Sequence, residues 1–138
     1  MAMFFNRFFG VVIVNGSSMN PTLHDGQILV GCKKCKDNIA PGDIVVAKIT
    51  RFDTRKEEII IKRVIAVENQ TISIDYGQVF INGEKLEEDY IISDGTENMK
   101  AVTIGEGEVF LLGDNRNNSL DSRIQGAIKL EDVLMKIL

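Results

Sequence analysis

The sequence predicts a mainly β protein: a compact antiparallel sheet or barrel-like domain with little helix. Three observations carry that expectation. Short runs rich in β-branched residues recur, several with period-2 alternation; glycine, proline and asparagine turn signals separate them; and helical periodicity is nearly absent. At 138 residues the chain is long enough for one domain with a genuine core. No linker, internal repeat or low-complexity tract divides it.

Taken in order, "MAMFFNRFFGVVIV" (1–14) is very apolar but interrupted by Asn6 and Arg7. It is shorter than the roughly 20 residues of a membrane-spanning helix. Nor does it fit a secretory signal, because its charge falls inside the apolar stretch and no small-residue cleavage site follows. Two readings stand: a buried first strand with frayed aromatics, which composition favours, or a membrane-seated edge into which Phe4, Phe5, Phe8 and Phe9 dip. "QILVG" (27–31) reads as a short strand. "GDIVVAKIT" (42–50) is a β-branched run launched by Pro41-Gly42, and "EEIIIKRVIAVEN" (57–69) is the longest strand candidate. "TISIDYGQVFING" (71–83) reads as a hairpin around Asp75-Tyr76-Gly77, with Asn82-Gly83 marking a further tight turn. Residues 93–106 are polar and glycine-containing and are expected to form an exposed loop. "GEVFLLGDN" (107–115) is another strand ending in a turn, and the tail "KLEDVLMKIL" fits either a helix or a final strand.

Charge and cysteines narrow the function. A net charge of −4 argues against nucleic acid as the main partner. Cys32 and Cys35 form a lone C-x-x-C, and His24 is the only histidine, so a four-ligand zinc site is not available. No βαβ pattern surrounds the pair as a thioredoxin-like motif requires. The default expectation is two incidental thiols on a loop, with a bridge open to them in an oxidising compartment.

The chemistry-bearing stretches are three. "NGSSMNPTLHDG" (15–26) presents two serines on a glycine turn, and a hydroxyl needs a neighbouring base to become a nucleophile. His24, followed by Asp25-Gly26, reads most simply as part of a solvated turn, and no G-x-S-x-G elbow is present. Lys62 is the other candidate base. It lies inside "IIIKRVIAV", where burial of an ammonium favours loss of its proton. The bland reading places Lys62 and Arg63 on an exposed face of a half-buried strand, although alternation requires only one of the two to be wet. The third stretch, "GDNRNNSLDSR" (113–123), packs two acids, two arginines and two serines into eleven positions. A local Asp/Arg network would stiffen it, and Ser119 or Ser122 could orient a neutral lysine. Its bland reading is a surface loop with incidental ion pairs.

The boxes "GSSMNPTL" (16–23), "GDIVV" (42–46), "IKRVI" (61–65) and "GDNRNNSLDSR" (113–123), in this order, resemble those of the type I signal peptidases of bacteria. The resemblance runs from Val11 to the C-terminus. Its last box is highly specific, and Gly16 with the short chain is closest to the Gram-positive form. It implies the β fold of that family and a serine endopeptidase that removes signal peptides after a small-residue, Ala-x-Ala-like motif, with no metal or organic cofactor. It implies Ser18 as nucleophile, Lys62 as general base and Ser119 as the hydroxyl that orients the lysine. It further implies a supporting Asp121–Arg123 ion pair, Asp114 paired with Arg63, and an oxyanion hole using the Ser18 backbone N–H. A second donor supplied by some relatives falls at Gly16, which has no side chain; Ser17 is the neighbouring hydroxyl. The implied pocket residues are Val14, Met19, Leu23, Val46, Ile60 and Ile61, with substrate extended along 12–14 and 59–61. The implied partners are preprotein signal peptides and the membrane surface, on the extracytoplasmic face. Residues 1–10 become a membrane-proximal apolar segment, with the transmembrane anchor absent or truncated, and residues 11–138 a single catalytic domain.

Two rival functions share some of these features. A self-cleaving repressor of the SOS type would use the same Ser/Lys pair, but no Ala-Gly self-cleavage segment is visible and the 113–123 box is not expected there. A non-catalytic β binding module would leave Ser18 and Lys62 as bystanders.

Overall fold

The computed structural model describes the backbone of residues 3–5 and all of residues 7–138. Among these, the strands are β1 (Met3–Phe5), β2 (Phe9–Ile13), β3 (Ile28–Cys32), β4 (Ile44–Thr50), β5 (Glu57–Val67), β6 (Thr71–Asp75), β7 (Gln78–Ile81), β8 (Glu84–Lys85), β9 (Met99–Thr103), β10 (Glu108–Leu112), β11 (Ile128–Lys129) and β12 (Val133–Ile137). One short helix, α1 (Ser122–Gln125), and two 3₁₀ turns complete the described elements. Every pairing is antiparallel. An eight-stranded sheet runs β1-β2-β3-β12-β4-β5-β10-β11, and a four-stranded sheet runs β8-β7-β6-β9.

Local chemistry accounts for the hairpins. Tyr76 and Gly77 both take positive φ (46° and 79°), the geometry of a two-residue turn that matches strand twist. Asn82-Gly83 repeats it between β7 and β8, at 52° and 83°.

Two expectations change. Residues 93–106 are not all loop, because β9 pairs with β6 there. Most of β9 is exposed, so its polar residues hide the alternation of a buried strand while its backbone still completes the sheet edge. Cys32 and Cys35 are not free thiols: they form a disulfide between the end of β3 and the following 3₁₀ turn. Pairing of β2 with β3 brings Cys32 opposite Phe9 and leads the chain straight into a turn, so the two sulfurs meet.

The tail resolves as strand β12, inserted between β3 and β4, with Val133 and Met135 fully buried. At the N-terminus Val12 and Val14 are buried whereas Phe8 and Phe9 are 51% and 45% exposed. The side chains of Phe4 and Phe5 lie outside the described residues.

Three apolar clusters hold the sheets. Ile65, Ala66, Phe110 and Leu112 of the large sheet pack on Ile72, Ile74 and Val79 of the small one. Val45, Ala47, Ile60, Val64, Val109 and Leu111 fill a second cluster on β4, β5 and β10. The third gathers Val12, Val14, Met19, Leu23, Val46, Ile61 and Met135 beneath the serine loop.

Candidate active site

The serine loop is held at both ends before it presents its hydroxyls. Val14 N–H donates to the Gln27 carbonyl at 2.8 Å and Gly26 N–H to the Val14 carbonyl at 2.8 Å, closing its base. Gly16, with φ of +94°, makes the turn that few L side chains tolerate, and its N–H donates to Asp25. Met19 is buried to 1% exposure in the third cluster and pins the chain one residue beyond Ser18. Ser18 is left half-buried, facing β5.

Strand alternation decides what faces it. Lys62 shares a strand face with Ile60 and Val64, and its cross-strand partner is Val45. Lys62 is only 4% exposed. Its Nζ lies 2.8 Å from Ser18 Oγ and 3.2 Å from the Ile61 carbonyl oxygen. Burial pushes the lysine pKa down to about 8, opposed by the Asp121 and Glu58 carboxylates and assisted by the Arg123 guanidinium. Neither Lys62 nor Arg63 is the wet member of the pair. Arg63 takes the other strand face and donates from Nε and Nη2 to Asp114 at 2.9 and 2.7 Å.

The 113–123 stretch is an ordered scaffold rather than a surface loop. Asp114 receives, besides Arg63, the Thr22 hydroxyl at 2.5 Å. Asp121 accepts from Arg123 Nε and Nη2 at 2.8 and 2.9 Å and from the Gly113 N–H at 3.0 Å, and it also caps α1. Asn115 N–H donates to the Ser18 carbonyl at 2.9 Å and Asn115 Nδ2 to the Ser17 carbonyl at 3.0 Å, so the scaffold grips the serine loop directly. Gly113 is needed for this approach: a Cβ there would overlap the Ser119 side chain and lie 2.7 Å from the Ser18 carbonyl oxygen. Ser119 donates to Asp121 at 2.8 Å, and the hydrogen bonds of Lys62 run to Ser18 and Ile61 rather than to Ser119. Ser17 Oγ accepts from Asn118 Nδ2 at 2.8 Å.

These groups open on a cleft of about 900 Å³. β5 pairs with β10 only from Arg63 onward, so residues 57–62 keep one edge towards the cleft. Val14, Met19, Ile60 and Ile61 line it; Leu23 and Val46 stand behind its wall in the third cluster. Ile59, within the 59–61 stretch expected beside substrate, also lines it, as do Glu57, Glu58, Leu120 and Ile124, which were not anticipated from sequence. The one available signal for these was the β5 period, which places Glu57 on the same face as Ile59 and Ile61. Arg116, although inside the polar box, had no assigned partner; Glu88 provides one from a segment with no motif of its own.

The chain matches the family model "Signal peptidase, peptidase S26" over residues 1–137. It belongs to the signal peptidase family. Probable signal peptidase I-1 of Synechocystis is 35% identical over 130 residues, covering 88% of this chain and 65% of that protein. A signal peptidase I of Bacillus amyloliquefaciens is 37% identical over 136 residues, covering 89% and 68%. The chain thus spans about two thirds of the length of these relatives. The crystal structure of a signal peptidase I from Enterococcus faecalis superposes with a TM-score of 0.63 at 27% identity, over 73% of this chain and 97% of that one. In this signal peptidase family member the described residues contain no cluster of three or more His, Cys, Asp or Glu side chains placed to hold a metal. They also contain no helix long and apolar enough to cross a membrane.

Proposed function

We propose that the chain is a type I signal peptidase: a serine endopeptidase that cleaves signal peptides from secretory preproteins after a small-residue motif, by a Ser/Lys dyad. The observation that carries this reading is the 2.8 Å approach of the buried Lys62 amine to Ser18 Oγ.

The residues act as follows. Lys62, neutral once its lowered pKa is passed, accepts the Ser18 proton as the oxygen attacks the scissile carbonyl. The oxyanion faces the Ser18 N–H, which makes no hydrogen bond within the described residues. The protonated lysine then donates to the leaving amine. Water repeats the sequence on the acyl-enzyme, and Lys62 again takes the proton. Ser119 acts through Asp121, to which it donates, and Asp121–Arg123 and Asp114–Arg63 hold the scaffold that bears them. The substrate adds as an extended strand to the open edge of β5, opposite residues 12–14. Val14, Met19, Ile60 and Ile61 line the cleft, and apolar walls of this kind accept alanine and exclude larger side chains by overpacking.

The same reading places residues 11–138 as the catalytic domain and residues 1–10 next to the bilayer, on the extracytoplasmic face. The Cys32–Cys35 disulfide suits an oxidising compartment. Phe9, Val30 and Ile28 (45%, 45% and 68% exposed) lie on one face of the β2–β3 ladder and form an apolar seat for a membrane. The test is cleavage of a preprotein in detergent. The wild-type chain is expected to release the signal peptide, Ser18→Ala and Lys62→Ala to lose that activity, and Ser17→Ala to keep most of it. Full activity in Lys62→Ala would remove the base; cutting only within its own chain at alkaline pH would favour the self-cleaving reading.

A further inference from the structure

The segment after β8, "LEEDYII" (86–92), carries no motif, yet two of its side chains reach the scaffold under Ser18. Glu88 is paired with Arg116 in a two-pronged ion pair, one arm being Nη1 to Oε1 at 3.0 Å. Both side chains are nearly sealed from solvent, at 4% and 2% exposure. Tyr90 donates its hydroxyl to Glu88 at 2.5 Å, and the Arg63 guanidinium lies 3.9 Å from the centre of its ring.

These contacts converge on one turn from two sides. Arg116 Nε donates to the Gly113 carbonyl at 2.9 Å. Arg63 holds Asp114, which receives the Thr22 hydroxyl and whose N–H reaches Met19 Sδ at 3.4 Å. The next residue, Asn115, donates to the Ser18 carbonyl. Glu88 and Tyr90 therefore brace Gly113, Asp114 and Asn115, and those three residues touch the serine loop at Ser18, Met19 and Thr22.

We propose that Glu88 and Tyr90 are positioning residues for the Ser18–Lys62 pair, clamping the 113–116 turn from the segment that joins β8 to β9. This rests on the peptidase reading above. A hydroxyl and an amine that must exchange a proton tolerate little misplacement, so loosening the turn lowers turnover before it weakens binding of a strand along β5.

The test compares Glu88→Gln, Glu88→Asp, Tyr90→Phe and the double replacement Glu88→Leu with Arg116→Met. Glu88→Gln is expected to lower kcat about tenfold or more with KM within about twofold. Glu88→Asp is expected to recover part of kcat and Tyr90→Phe to lose less than Glu88→Gln. The apolar double replacement is expected to restore the melting temperature without restoring kcat, since such pairs are replaceable for stability. If kcat returns together with the melting temperature, or Glu88→Gln turns over like wild type, the positioning role is overturned. Amide exchange supplies an arm independent of cleavage: residues 113–119 should exchange faster in Glu88→Gln while β4 and β5 do not change. Equal exchange in that turn would overturn the clamp even if no preprotein is cleaved, whereas faster exchange in a protein that cleaves nothing would defeat only the peptidase reading.

Discussion

The base role proposed for Lys62 comes with a cost in stability. Its folded-state pKa, about 8, lies below its ordinary 10.5 because burial penalises the ammonium. A dyad base must be neutral, so cleavage is expected to rise from pH 6 through about 8 and to level off above it, measured as kcat/KM across that range. The stability effect has a definite sign. Below pH 8 both folded and unfolded chains hold the proton and the full penalty is present; between 8 and 10.5 the unfolded chain holds more, so stability rises with pH. Lys62→Met should therefore be more stable than wild type at pH 7, by up to about 3 kcal/mol, and the lead should shrink towards pH 10. Urea unfolding at the two pH values checks this; an equal gap at both would show that the Lys62 pKa is not lowered in the folded chain. Gly113 makes a second case at this scale. Its missing Cβ admits the Ser119 side chain and the Ser18 carbonyl, so Gly113→Ala should depress kcat by about 10²-fold in a protein that still folds.

At the scale of elements, β5 does two tasks with one strand. Residues 57–62 pair only with β4, leaving one edge open towards the cleft, while the stretch from Arg63 to Val67 pairs with β10 and only Arg63 stands opposite both β4 and β10. The register shift between Phe110 and Leu111 of β10 lets Val64 serve one cluster and both Ile65 and Ala66 another. Lys62 and Arg63 thereby sit at the point where the open edge begins, one on each face. The Cys32–Cys35 bridge is a separate device at the end of β3. It closes a very short loop, so replacing both cysteines by serine should cost about 2 kcal/mol, lowering the melting temperature by about 6 °C. Cleavage should change little, because neither cysteine lines the cleft. A calorimetric scan beside a cleavage assay checks both; lost cleavage at unchanged stability would contradict this separation.

At the scale of the whole molecule, two sheets meet through one apolar cluster, and the serine loop, the open β5 edge and the 113–123 scaffold surround one cleft. The apolar outer face of β2 and β3 is expected to bind lipid. Phe9→Ser with Val30→Ser should reduce co-sedimentation with phospholipid vesicles while cleavage of a short soluble peptide is kept; unchanged sedimentation would remove the apolar seat.

Much of the protein was legible in its sequence because local rules suffice there. Period-2 β-branched runs and Asn-Gly or Tyr-Gly turns specify strands and hairpins whatever surrounds them, whereas a lysine set among isoleucines marked a candidate base whose burial only the packing decided. The 113–123 box was legible as a charged network because its Asp121–Arg123 partners are two residues apart. Other features depended on residues far apart in the chain. The polar strand β9 needed β6 to give its backbone partners, and the tail became strand only because a gap between β3 and β4 awaited it. Cys32 met Cys35 once the end of β3 was fixed against β2. The Glu88–Arg116 and Tyr90–Arg63 contacts join segments 28 and 27 positions apart. Residue types and spacing determined which chemistry the chain can carry; tertiary packing decided which groups touch, because burial and hydrogen-bond geometry are properties of a neighbourhood that no single segment contains.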